Sequence, residues 1–209
     1  MNISFTQFCI LVTSFLVPVA LMADEPTDSK GGIFLEPLVT YESGQSEVNY
    51  PSPFSNSTGD IVGFGLGARV GLHISEILLL GLDGRYAEPQ FKDSSVQYDA
   101  KATSMNLGPV LVLQMPDIGF RFWGTYVLKS ELDPKQSGSL DVKFTEGKGY
   151  RLGTGFHVAS ISLNLEYQEI KYDKATLEQI GPFASSAVFD SVDLEYKSWI
   201  ASVSFPVEF

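Results

Sequence analysis

The stretch Trp199–Phe209 constrains this chain more than any other. Trp199, Ala201, Val203, Phe205, Val207 and Phe209 share one parity, and Ser198, Ser202 and Ser204 take the other. Successive side chains of an extended chain point to opposite sides, so a period of two predicts a β-strand with one apolar face. The ends of soluble domains tend to fray and to be polar. A strand closing on Phe209 is therefore expected to sit in apolar surroundings.

The same alternation recurs back to Gly32, with no stretch of helical period. Leu35, Pro37, Val39 and Tyr41 oppose Glu36, Leu38, Thr40 and Glu42, and the polar tract Ser43 to Gly59 then predicts a long loop. Val62, Phe64, Leu66, Ala68, Val70 and Leu72 oppose Gly63, Gly65, Gly67, Arg69, Gly71 and His73. Leu78, Leu80, Leu82 and Tyr86 oppose Gly81, Asp83 and Arg85, before a tract rich in Asp, Ser and Gln. A fourth strand is expected around Met105 to Leu113, and a fifth from Phe120 to Leu128 after the Met115-Pro116-Asp117 turn. A polar loop is expected from Lys129 to Lys148, then strands at Tyr150–Val158 and Ile161–Tyr167 joined at Ala159-Ser160. Parity blurs from Glu169 to Tyr172, which predicts a bulge or strand end, and a last long loop is expected from about Asp173 to Asp193.

Connections thus alternate long and short. That rhythm predicts an all-β, eight-stranded antiparallel up-and-down transmembrane barrel, with both termini at the short-turn end. Closure satisfies the backbone groups that lipid cannot.

The parity opposite the aliphatic stripe identifies the inside. Where water faced a strand, Lys, Glu, Thr and Ser would be expected; strands two and six carry mostly Gly there, with Arg69, His73, Arg151 and His157. Arg69, Arg85, Arg121 and Arg151 are all the arginines, and all fall on this parity, whereas every lysine but Lys30 falls in expected loops or rims. Arginine suits fixed, desolvated ion pairs and lysine solvated surfaces. A polar lumen network of these four with Glu36, Asp83 and Glu166 is expected. Tyr41, Tyr86, Tyr126, Tyr150 and Trp199 near the long loops, and Phe120, Phe156, Phe205 and Phe209 near the short turns, fit two interfacial girdles.

Ile10 to Val17 is an uncharged apolar run, followed by Pro18 and then Ala20 to Ala23 before Asp24-Glu25. This reads as a cleaved signal peptide over 1–23 with the barrel domain at 24–209. Its n-region carries no Lys or Arg. Cys9, the single cysteine, falls within the leader, so a disulfide scaffold, a thiolate metal site and a cysteine nucleophile are excluded from the mature chain. A net charge of −11 argues against nucleic acid as a partner.

From Gly32 to Phe209 the pattern resembles the small outer-membrane barrel family that includes the OmpA barrel domain, OmpX and OmpW. The resemblance implies export through the periplasm to a Gram-negative outer membrane, with outer-membrane lipid as surroundings and a monomeric state. It also implies that Phe205, Val207 and Phe209 form the signal read by the barrel assembly machinery.

Fold alone does not assign function. His73 and His157 are the only histidines, and both are expected at the short-turn end, away from the outer rim where enzymes of such folds carry their sites. The shared Gly-x-His pattern reads as capping of the lumen floor rather than as a metal pair, and acidic loop residues are not spaced as a calcium loop. No catalytic site, cofactor or metal is expected. The leading expectation is a structural or narrow-pore barrel, since eight strands enclose only side chains. The inward apolar residues Phe34, Leu38, Leu79, Val110, Val112, Trp123 and Val127 motivate an OmpW-like conduit for small apolar solutes instead. Ile180, Phe183, Val188 and Phe189 at an expected tip motivate an adhesin acting through its four long loops. Pro37 and Pro206 each lack an N–H, so the closing seam is a candidate lateral opening.

Overall fold

The computed structural model describes residues 32–209 apart from 54, 94–97, 137–139, 181–182 and 191. The expected signal peptide, with Cys9, lies outside the described residues. The strands are β1 (Ile33–Asn49), β2 (Ser57–His73), β3 (Leu78–Asp93), β4 (Tyr98–Met115), β5 (Phe120–Pro134), β6 (Leu140–Val158), β7 (Ile161–Ile180), β8 (Phe183–Phe189), β9 (Asp193–Ser204) and β10 (Val207–Glu208). Neighbours in sequence pair antiparallel from β1 to β7, and β9 pairs with both β7 and β1. This closes a ring of eight wall strands, with β8 continuing the last wall strand above β9 and β10 continuing it below.

All four expected long loops are instead strand over most of their length. β1 runs on to Asn49, β3 to Asp93, β5 to Pro134 and β7 to Ile180, while β4 begins at Tyr98 and β6 at Leu140. Strands of 15 to 20 residues exceed the ~9–11 needed to cross a bilayer, so the barrel stands well above its membrane belt. The expected bulge or end at Glu169–Tyr172 is likewise absent, for β7 pairs without interruption from Tyr172 to Ser162 against β9.

One physical change explains both departures. Within the belt of β7, Leu163 and Leu165 face out while Glu166 and Gln168 are buried; higher up, Lys171 and Asp173 face out while Ile170 and Tyr172 are buried. Lipid demands an apolar exterior and water a polar one, so the chemistry of the two parities exchanges where the wall leaves the membrane. Read from sequence, that exchange resembles lost alternation. The crossover follows the ring Tyr41, Tyr86, Tyr126, Tyr150, Tyr167 and Trp199, where the tyrosine hydroxyls of 86, 150 and 167 donate to Glu88, Glu169 and Glu169. On β2 the lipid-facing row runs from Leu72 to Val62. Ten steps of ~3.3 Å at the usual tilt match an apolar band ~25 Å tall. The lower edge is aromatic too, with Phe120 packed on Phe122 and Phe156 at centroid distances of 5.1 and 6.2 Å.

At the seam the register holds past both prolines, from Leu38↔Ser204 to Phe34↔Glu208. Phe205 N–H donates to Pro37 C=O at 2.9 Å, and Ile33 and Phe209 exchange bonds at 2.9 and 3.2 Å. Odd-numbered residues thus face each other across the seam. Pro37 removes one donor from it, whereas the even-numbered Pro206 turns its nitrogen away from β1. The expectation that both prolines weaken the seam is corrected accordingly. The last wall strand is interrupted at Phe205-Pro206, and Val207, expected on the exposed apolar face, is 5% exposed, while Phe209 remains 64% exposed.

Candidate functional site in the lumen

Inward positions stack in three layers. The lowest holds Phe34, Leu79, Val110, Val112 and Trp123, packed as one apolar cluster above the short turns. His73 lies edge-on to Phe34 at 5.9 Å, with its Nε2 3.4 Å from Glu208, and His157 Nδ1 is 2.9 Å from Ser162 Oγ. Each histidine is thus tied to a nearby side chain at the floor.

The middle layer brings together all seven charged residues expected there: Glu36, Arg69, Asp83, Arg85, Arg121, Arg151 and Glu166, each at most 8% exposed. Arg121 makes a two-pronged pair with Glu36, Nη1–Oε1 at 3.0 Å and Nη2–Oε2 at 2.7 Å. Arg85 spans Asp83 (Nε–Oδ1 2.6 Å) and Glu166 (Nη2–Oε2 3.0 Å). Arg69 Nε lies 2.9 Å from Asp83, and its two terminal nitrogens approach Glu36 at 3.6 Å and Glu166 at 3.3 Å. Arg151 reaches Asp83 at 3.0 Å. Arg151 also reaches two neutral amides, Gln168 Oε1 at 2.6 Å and Asn106 Oδ1 at 2.6 Å, and a further carboxylate, Glu42, is buried on the inward parity of β1.

Sequence reasoning about charge alone passed over the neutral members. Trp123 Nε1 donates to Glu166 at 3.2 Å, and its ring lies 4.2 Å beneath the Arg69 guanidinium, a cation–π contact in a desolvated setting. Ser204 Oγ donates to Glu36 at 2.6 Å, and Asn164 links Ser202 and Ser204. The available signal was parity, since all of these lie on the inward face. Gly153 and Gly67 make the packing possible: a Cβ at Gly153 would lie 2.3 Å from the Trp123 ring, and one at Gly67 2.5 Å from Arg85 Cδ.

The upper layer is a second apolar core, including Ile61, Phe91, Leu132, Phe144, Ile170, Tyr172, Leu194 and Tyr196. Within it Tyr172 Oη and Ser130 Oγ bond at 2.8 Å. At the upper edge of β5–β7 the carboxylates of Asp133, Asp141 and Glu178 come within 4.8 Å of one another, a grouping that the expectation of scattered acids missed. Lys143 lies 3.9 Å from Asp133.

No family profile matches the chain, and no curated protein does. Solved structures are similar in shape. The outer membrane protein OprG from Pseudomonas aeruginosa superposes with a TM-score of 0.55 at 13% identity, over 86% of this chain and 95% of its own. The outer membrane protein AlkL, solved in lipid bilayers, does so with a TM-score of 0.54 at 11% identity, over 89% and 96%. With its closed ring, apolar belt and polar lumen, the chain has the fold of the small eight-stranded outer-membrane β-barrels.

Proposed function

We propose that this protein is a closed structural barrel of the outer membrane, whose lumen passes neither ions nor apolar solutes. The observation that carries the reading is the seven-residue ion-pair layer, buried on every member and bridging opposite walls. Moving an ion through it would require breaking paired charges, and removing one partner of a buried pair costs about 3–5 kcal/mol. An apolar solute fares no better, because the apolar layers above and below are separated by these charges and their own side chains are filled in, with Ile61, Leu132 and Val112 wholly covered. Eight strands leave an interior that side chains fill.

Planar-bilayer recording of the refolded full chain, with and without added hydrocarbon, tests this. Silence in both conditions is the expected result. Stepwise conductance of the unaltered protein, or conductance blocked by hydrocarbon, would favour the conduit reading instead.

A further inference from the structure

Just above the tyrosine ring, outward side chains from six strands stand in one row around the wall. Glu169 faces Lys197, Lys197 faces Gln45, Gln45 faces Asp60, Asp60 faces Lys92, and Lys92 faces Asp99. A groove of about 1520 Å³ crosses this row, with Glu47 and Glu195 above it and Tyr167, Trp199 and Val62 below. That is more room than the ~300–1,000 Å³ of an ordinary small-molecule pocket. The lower margin is aromatic and apolar. Trp199 is 58% exposed with Tyr167 packed on it at 5.3 Å, and Val62 begins the lipid-facing row that continues through Phe64 and Leu66. The groove therefore opens downward onto the apolar belt, at the level where lipid headgroups lie.

Charge then selects the head. Glu47, Asp60, Asp99 and Glu195 outnumber Lys92 and Lys197 within the groove. Both lysines are already paired, Lys92 with Asp99 at 3.6 Å, and Lys197 with Glu195 at 3.6 Å and Glu169 at 3.9 Å. Between them stand Gln45 and Asp60, exposed and, among the described residues, bonded to no side chain. A phosphate head is anionic and accepts only, so Asp60 repels it. A hydroxyl donates to the Asp60 carboxylate and accepts from the Gln45 amide.

We propose that this groove seats the sugar head of a glycolipid in the surrounding leaflet, with its chains running down the belt beside Val62, Phe64 and Leu66. Trp199 supplies a flat apolar face for the C–H side of a sugar ring, while Gln45 and Asp60 hold its hydroxyls. The amphipathic outline, polar above and aromatic to aliphatic below, commits the groove to a lipid-borne sugar rather than to one free in water. The inference uses only the outer wall and does not depend on the closed-barrel reading.

Trp123 and Trp199 are the only tryptophans, and Trp123 is buried in the lumen, so changes in the emission of the full chain report on the groove. In phosphatidylcholine nanodiscs, raising the fraction of a monoglucosyl diacylglycerol should shift that emission saturably, and Trp199→Phe should abolish the shift. Phosphatidylglycerol at the same fractions, or methyl glucoside added in solution, should leave it flat. Gln45→Leu should raise the half-saturating fraction about tenfold, as the loss of one hydrogen-bonding group implies. Asp60→Lys should exchange the preference, losing the glucosyl lipid and gaining phosphatidylglycerol. Each variant is checked for folding by its heat-dependent gel mobility. Absence of a saturable shift with the glucosyl lipid, an equal shift with phosphatidylglycerol, a response to methyl glucoside, or titrations unchanged in both Gln45→Leu and Asp60→Lys would overturn the proposal.

Discussion

Glu36 and Arg121 meet across the full width of the barrel. Their strands, β1 and β5, stand four apart in a ring of eight, yet the two side chains pair through both carboxylate oxygens at 2.7 and 3.0 Å. This pair bridges opposite walls of the closed ring. Glu36→Gln or Arg121→Met strands a charge at 0 or 5% exposure and should cost about 3–5 kcal/mol. The double variant should cost less than the sum. Urea unfolding in detergent measures all three, and strict additivity would remove the pair from the account.

The exchange of inside and outside chemistry along the wall predicts unequal responses to arginine on the outer face. Leu163→Arg, on the lipid face, should destabilise by about 2–4 kcal/mol. Gln45→Arg, outward but above the tyrosine ring, should stay within about 0.5 kcal/mol. Equal effects in a bilayer unfolding titration would misplace the membrane boundary.

Phe209 presents its ring to lipid while its backbone completes the seam with Ile33. Phe209→Ala keeps the backbone bonds. We expect a lower folded fraction in cells with little change in the unfolding midpoint of the protein that does fold. An undiminished folded band on an unheated gel would dismiss the role of the ring in assembly.

Since the seam lacks a single donor, at Pro37, amides beside it should resist exchange. Phe205, bonded to Pro37 C=O, should be as protected in detergent as Leu80 within β3. Fast exchange confined to Val203–Phe209 would mean that the seam opens.

Above the membrane, Tyr98 is 9% exposed and donates to Lys135 C=O at 2.7 Å. Burial first, then the carboxylates of Asp141 and Asp133, push its hydroxyl up to about 12. A folded value above the ordinary ~10 means that the stability Tyr98 contributes is intact below pH ~10 and is lost as pH rises from there toward 12. Tyr98→Phe should therefore flatten the decline of the unfolding midpoint over that range. An unchanged slope would show that Tyr98 titrates normally.

Much of this barrel was legible because lipid imposes one rule on every strand that crosses it. Alternation alone placed the four arginines inside, since they take the parity opposite to the leucines of β2 and β3. The terminal strand and the short turns at Ala159-Ser160 and Met115 to Gly119 followed from the same period and from turn residues. What alternation could not supply was where that rule stops. Ile170 and Tyr172 read as disorder in the pattern, though they only exchange roles with Lys171 and Asp173 once water replaces lipid outside. Register was equally out of reach: that Arg121 meets Glu36, that Arg151 turns to Gln168 and Asn106, and that Pro206 faces away from the seam all depend on which residues stand opposite. Periodicity reports a residue's side of a strand, whereas pairing energies depend on distances between strands, and only the closed ring sets those.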